Sequence, residues 1–134
     1  MAYFKFAEKI EANQPIQVFN NGEMERDFTY VDDVVEGIVR VLDGPPKPPQ
    51  TPYRVYNIGR GQPIKLMTFI QRIEQALGKV AQKELLPMQP GDVPVTWADV
   101  AALKADHGYE PSTSLEEGIR RIIEWYRSEW TPRK

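Results

Sequence analysis

One arginine stands where a cation can meet an anion. Arg26, in "GEMERDFTYVDDVVEGI", falls between a glycine-containing turn and an apolar-striped helix. Its planar guanidinium offers paired N–H donors to multi-oxygen anions such as phosphate. Two other segments carry groups that complement it. "QVF" ends an extended stretch with Gln17 and Phe19, an amide and a ring suited to the edge of an aromatic base. "QPGD" sets Asp92 after a Pro-Gly corner, a carboxylate able to accept hydrogen bonds from a diol. Together they would make a nucleotide pocket. Each segment also reads as an ordinary surface loop, and spacing alone does not bring the three together.

Other chemistry is poorly supplied. There is no cysteine, hence no nucleophilic thiol, no disulfide framework and no thiolate metal site. The single histidine, His107, excludes a multi-histidine metal site within one chain and reads as a helix C-terminal residue favoured by the dipole. Asp32 and Asp33 diverge as neighbours on a helix, so capping and solvation are the preferred reading. Gly59-Arg60-Gly61 follows an extended stretch, as a dinucleotide loop would. The third glycine is replaced by Ile64 and Pro63 interrupts, so a strand-to-helix turn is preferred.

The elements that must position these groups follow from periodicity. Residues 2–12 read as a helix with Phe4, Ala7 and Ile10 on one side. "IQVF" reads as a strand entered through Pro15, "NNGE" as a turn, and "RDFTY" as a second extended piece. Val31, Val34, Val35, Ile38 and Leu42 mark a helix, with Thr29 and Asp32 as a capping box and Gly44 at its end. "GPPKPPQTP" is a proline-rich surface loop, "YRVYNIG" a strand, and "RGQP" a turn. Leu66, Phe69, Ile70, Ile73 and Leu77 form an amphipathic helix closed by Gly78. "KELLPM" reads as a short strand, "QPGDVPVT" as a loop, and Asp99 to Ala105 as a short helix. The last helix carries Leu115, Ile119, Ile122 and Tyr126, capped by Ser114 with Glu117 or by Thr113 with Glu116. Strands set between helices predict an α/β (mixed α+β) architecture in one domain over residues 1–134.

The bulk numbers agree. The 134 residues are 41% hydrophobic, enough for a core. A net charge of -2 gives no electrostatic footprint for nucleic acid. No apolar run approaches the roughly 18 residues of a membrane span, and the N-terminus lacks a secretory h-region. A cytoplasmic location fits the absence of cysteine.

Read in order, "PIQVFNNGEMERDFTYVDDVVEGI", "YRVYNIG", "LLPMQPGDVPVTWAD" and "TSLEEGIRRIIEWY" resemble the C-terminal part of an extended short-chain dehydrogenase/reductase, the NAD-dependent sugar epimerase/dehydratase group. "MQPGDV" after "LLP" is most similar to the UDP-glucuronate 4-epimerase branch. The resemblance implies a small substrate-binding domain in which Gln17 and Phe19 line the uracil, Arg26 reaches the diphosphate and Asp92 lies near the ribose. At Gln89 many galactose- and glucose-acting relatives have a second arginine; glutamine there is similar to the glucuronate-acting branch, and leaves Arg26 more of the diphosphate role.

The resemblance also implies parts that this sequence does not contain. The family binds NAD through an N-terminal Gly-rich loop and reacts through a Tyr-x-x-x-Lys pair. Four residues beyond the tyrosines stand Ala7, Val34, Asn57, Arg60, Thr113 and Trp130, none of them lysine. The expectation is therefore the substrate half of an epimerase, without most of the Rossmann half, inactive alone and holding neither NAD nor metal. Its expected partners are a UDP-sugar, the N-terminal half and, through uncovered apolar helix and strand faces, further copies of itself. A stand-alone UDP-sugar module and a structural remnant without function are the alternatives.

Overall fold

The computed structural model describes residues 2–45 and 53–130. The core is built where the periodicity is clearest. Helix α1 (Ala2–Glu11) buries Phe6, Ala7 and Ile10. Helix α3 (Leu66–Leu77) buries Phe69, Ile70, Ile73 and Leu77, one face of a 3.6-residue repeat. It stops at Gly78, whose φ of 71° is the left-handed conformation that glycine adopts without a Cβ penalty. Helix α5 (Leu115–Glu129) adds Ile119 and Ile123. Of the two caps open to its N-terminus, Ser114 is used: its Oγ accepts from the Glu117 amide at 3.1 Å. Helices α1 and α5 both pack on α3.

Strand β1 (Ile16–Val18) closes this core. Ile16 and Val18 are fully buried, so Gln17 between them points outward, as strand alternation requires. β1 runs parallel to β4 (Lys83–Leu85), pairing Gln17 with Glu84. A second sheet sits beside it. β2 (Glu25–Arg26) is its middle strand, antiparallel to β3 (Ile64–Lys65) and parallel to β5 (Val95–Thr96). Helices α2 (Val31–Asp43) and α4 (Ala101–His107) complete the order. The fold is the mixed α/β arrangement expected.

Several local expectations are corrected. The proposed capping box does not form: Tyr30 is the N-cap of α2 and gives no side-chain cap, while the Thr29 hydroxyl turns to Asp27. "RDFTY" contributes only Arg26 to a strand, "QPGDVPVT" hides β5, and the short helix expected from Asp99 starts at Ala101. Residues 53–59 form no ladder with any described strand. They are tied by side chains instead: Tyr56 Oη donates to Asp106 Oδ2 at 2.8 Å, and Tyr109 Oη to the Gly59 carbonyl at 3.1 Å. Asp33 is not solvated. It is 6% exposed, and its carboxylate accepts from the amides of Ser112 and Thr113. Residues 46–52 of the proline-rich loop lie outside the described residues.

The apolar stripe of α2 faces away from the core. Gly37 is on the inner side, where an added Cβ would come within 3.0 Å of Ile58 and 3.2 Å of Tyr109. Val31, Val35, Ile38 and Leu42 are exposed, Leu42 by 72%, and Val55 is exposed by 80%.

Candidate functional site

Arg26 is placed from both sides. On its N-terminal side, the Leu66 amide donates to the Met24 carbonyl and the Glu25 amide to the Pro94 carbonyl, locking β2 between its neighbours. On its C-terminal side, Phe28 stacks on Phe69 of the core, ring centroids 3.8 Å apart. The guanidinium is then held against backbone and carboxylate. Nη1 donates to the carbonyls of Glu25 (2.8 Å) and Pro94 (3.1 Å), and Nη2 to Asp92 Oδ1 at 2.7 Å. Asp92 Oδ1 also accepts from the Val93 amide at 2.9 Å, and the Asp92 amide donates to the Gln89 carbonyl at 3.2 Å. The two charged groups singled out in the sequence, 66 residues apart, thus meet in one partly exposed ion pair.

The other three candidates lie on β1, in the turn that follows it and in the loop that carries Asp92. Gln17 is exposed on β1, in the other sheet from Arg26. Phe19 is half-buried and begins a tight turn over Phe19–Gly22, in which Asn20 and Asn21 both take positive φ. That turn is tied to the segment after β4 by the Asn21 amide on the Leu86 carbonyl and the Leu86 amide on the Val18 carbonyl. Gln89 is exposed in the same segment, three residues before Asp92.

Beside Arg26 opens a cleft of about 490 Å³, lined by Arg26, Asp27, Tyr56, Asn57, Ile58, Thr96, Trp97 and Ala98. Asp27 organises its wall. Its Oδ1 accepts from the Arg60 amide (3.0 Å), and its Oδ2 from the amides of Gly61 (2.8 Å) and Ala98 (3.1 Å). One carboxylate therefore joins three segments of chain. Sequence reasoning missed this residue, because its backbone partners lie 33 to 71 positions away, and missed Trp97, which follows a stretch read as a loop.

The Asp27 clamp bears on phosphate binding. The Gly59-x-Gly61 loop would cradle a pyrophosphate with free backbone N–H groups. The amides of Arg60 and Gly61 are already given to Asp27, and a Cβ at Gly59 would lie 2.6 Å from that of Ala98. The loop is a packed turn, not an anion nest. Among the described residues, no group of three or more His, Asp or Glu side chains is placed to hold a metal ion, and no helix is long and apolar enough to cross a membrane.

Residues 1–59 match the NAD dependent epimerase/dehydratase family. Over 94% of its length the chain is 45% identical to a probable UDP-glucuronate 4-epimerase of Rhizobium meliloti (strain 1021), of which the match covers 41%. Its fold superposes on a UDP-glucuronic acid 4-epimerase from Bacillus cereus, in complex with UDP-glucuronic acid and NAD. There the TM-score is 0.86 and the identity 28%, covering 97% of this chain and 40% of that one. A Thermotoga maritima UDP-glucose 4-epimerase with UDP-glucose gives a TM-score of 0.82 at 28% identity, covering 95% and 39%.

The chain resembles the NAD dependent epimerase/dehydratase family, whose match covers residues 1–59.

It spans about two fifths of the length of these relatives. Among the described residues, the Gly59-Arg60-Gly61 turn gives the amides of Arg60 and Gly61 to Asp27, and the 134-residue sequence contains no Tyr-x-x-x-Lys pair.

Proposed function

We propose that this chain is the nucleotide-sugar-binding part of a UDP-sugar 4-epimerase, with UDP-glucuronate as the substrate. Residues 1–134 form one substrate-binding domain. Arg26 binds the diphosphate, Asp92 accepts from ribose hydroxyls, Gln17 and Phe19 take the uracil, and Gln89 lies at the diphosphate side in place of a second cation. The observation that carries this reading is the Arg26–Asp92 pair, whose arginine lines the cleft. An arginine oriented by two carbonyls and one carboxylate is preorganised, so little is lost in ordering it on binding. Support for glucuronate comes from the 45% identity to the probable UDP-glucuronate 4-epimerase.

Binding a remote handle such as UDP positions a reacting sugar without touching the reacting carbon. The residues of this sequence supply that binding, and no step at the sugar is assigned to them. The 134 residues alone bind UDP but turn nothing over and take up no NAD.

A titration comparing UDP, UMP and uridine, followed through Trp97 in the cleft wall with Trp97→Phe as the spectral control, tests the assignment. UDP binding more tightly than UMP, and UMP more tightly than uridine, is the expected order. Equal affinities would remove the diphosphate from the account.

A further inference from the structure

Arg26 holds its counter-ion within the protein. Nη1 is spent on two backbone carbonyls and one Nη2–H on Asp92, which leaves the Nε–H and the second Nη2–H without a partner among the described residues. Asp92 is half committed in the same way. Its Oδ1 takes Arg26 and the Val93 amide, while Oδ2 accepts from none of the described residues. An anion approaching the free edge of Arg26 therefore also approaches a carboxylate 2.7 Å from that guanidinium. Like charges placed side by side are unfavourable, all the more where solvent is partly excluded. A ligand that brings hydroxyl donors to Oδ2 together with its anion turns the same carboxylate into a partner.

From this we infer that Asp92 is a specificity-determining residue, which makes the Arg26 site reject bare polyphosphate anions and accept anions carrying an adjacent diol. The inference rests on the assignment of Arg26 as the anion site. It adds that selectivity for a nucleoside diphosphate over inorganic pyrophosphate is set by repulsion at one loop carboxylate, and not only by contacts to the base.

The test is calorimetric titration of the full 134-residue chain with inorganic pyrophosphate, in the wild type, Asp92→Asn and Asp92→Asn/Arg26→Ala. Asparagine keeps the size of the side chain, and circular dichroism checks the fold. Asp92→Asn is expected to bind pyrophosphate about tenfold more tightly than the wild type, and the double variant to lose that gain. A parallel titration with UDP should move the other way, Asp92→Asn being weaker. Unchanged or weaker pyrophosphate binding in Asp92→Asn overturns the inference. So does a gain that survives removal of Arg26. Failure of the nucleotide assignment shows elsewhere, as wild-type UDP affinity that does not respond to Arg26→Ala, so the two failures are distinguishable.

Discussion

Arg26 Nη2 and Asp92 Oδ1 lie 2.7 Å apart, joining the second residue of β2 to a loop 66 residues later. Both side chains remain partly exposed, at 25% and 34%. That exposure separates the pair's part in recognition from its part in stability. Exposed pairs are worth up to about 1 kcal/mol. Arg26→Ala should therefore lower the unfolding free energy by only about 1 kcal/mol, measured by urea denaturation. A loss several times larger would make the arginine a structural residue first.

Asp27 is expected to behave differently. Its carboxylate receives three backbone amides and the Thr29 hydroxyl. Leaving such partly buried donors unpaired costs about 1 kcal/mol or more each. Asp27→Ala should destabilise the chain by about 2–4 kcal/mol, read as a lower urea midpoint. An unchanged midpoint would mean that water replaces the carboxylate without penalty.

Glu11 gives a pH signature. A hydrogen bond from Lys79, reinforced by Arg127, holds its carboxyl below the ordinary value of 4.5, against the opposing effect of burial. A carboxyl lowered in the folded state contributes stability that is fully present above the unfolded value and is lost as pH falls below it. Glu11→Gln should thus be less stable than the wild type near pH 7, by roughly 0.5–1 kcal/mol, with the gap closing as pH falls below 4.5. A gap that stays constant between pH 7 and pH 2 in denaturation curves would contradict the ion-pair origin.

The outward stripe of α2 predicts association. Val31, Val35, Ile38 and Leu42 form an exposed apolar ridge, and such surfaces favour contact with other chains. Sedimentation at micromolar concentration should show the 134-residue chain self-associating, and Val35→Glu with Leu42→Glu should restore a monomer. A wild-type monomer that binds no apolar dye would remove the prediction.

How far the sequence carries depends on the range of the interaction. Helices α3 and α5 were legible because Phe69, Ile70, Ile73 and Leu77 repeat at helical spacing and Ser114 is a local cap. "YRVYNIG" misled because its β-branched and aromatic residues record a capacity for strand, whereas a ladder needs a neighbour, and none of the described strands pairs with it. Thr29 was equally able to cap α2 or to bond Asp27, and the choice was made by Arg60, whose amide also donates to its hydroxyl. At the candidate site the types of Arg26 and Asp92 were readable, but their meeting was not, since 66 residues of chain separate them. Asp27 and Asp33 carried no local sign that they accept backbone amides from distant segments.

The central claim is that this chain recognises the UDP handle through Arg26. Isothermal titration of the 134-residue chain with UDP, beside Arg26→Ala, tests it most directly. Saturable binding that weakens about tenfold or more in the variant, as loss of a charge-assisted contact implies, is the predicted result. No heat at millimolar UDP, or equal affinity in the two proteins, would contradict it.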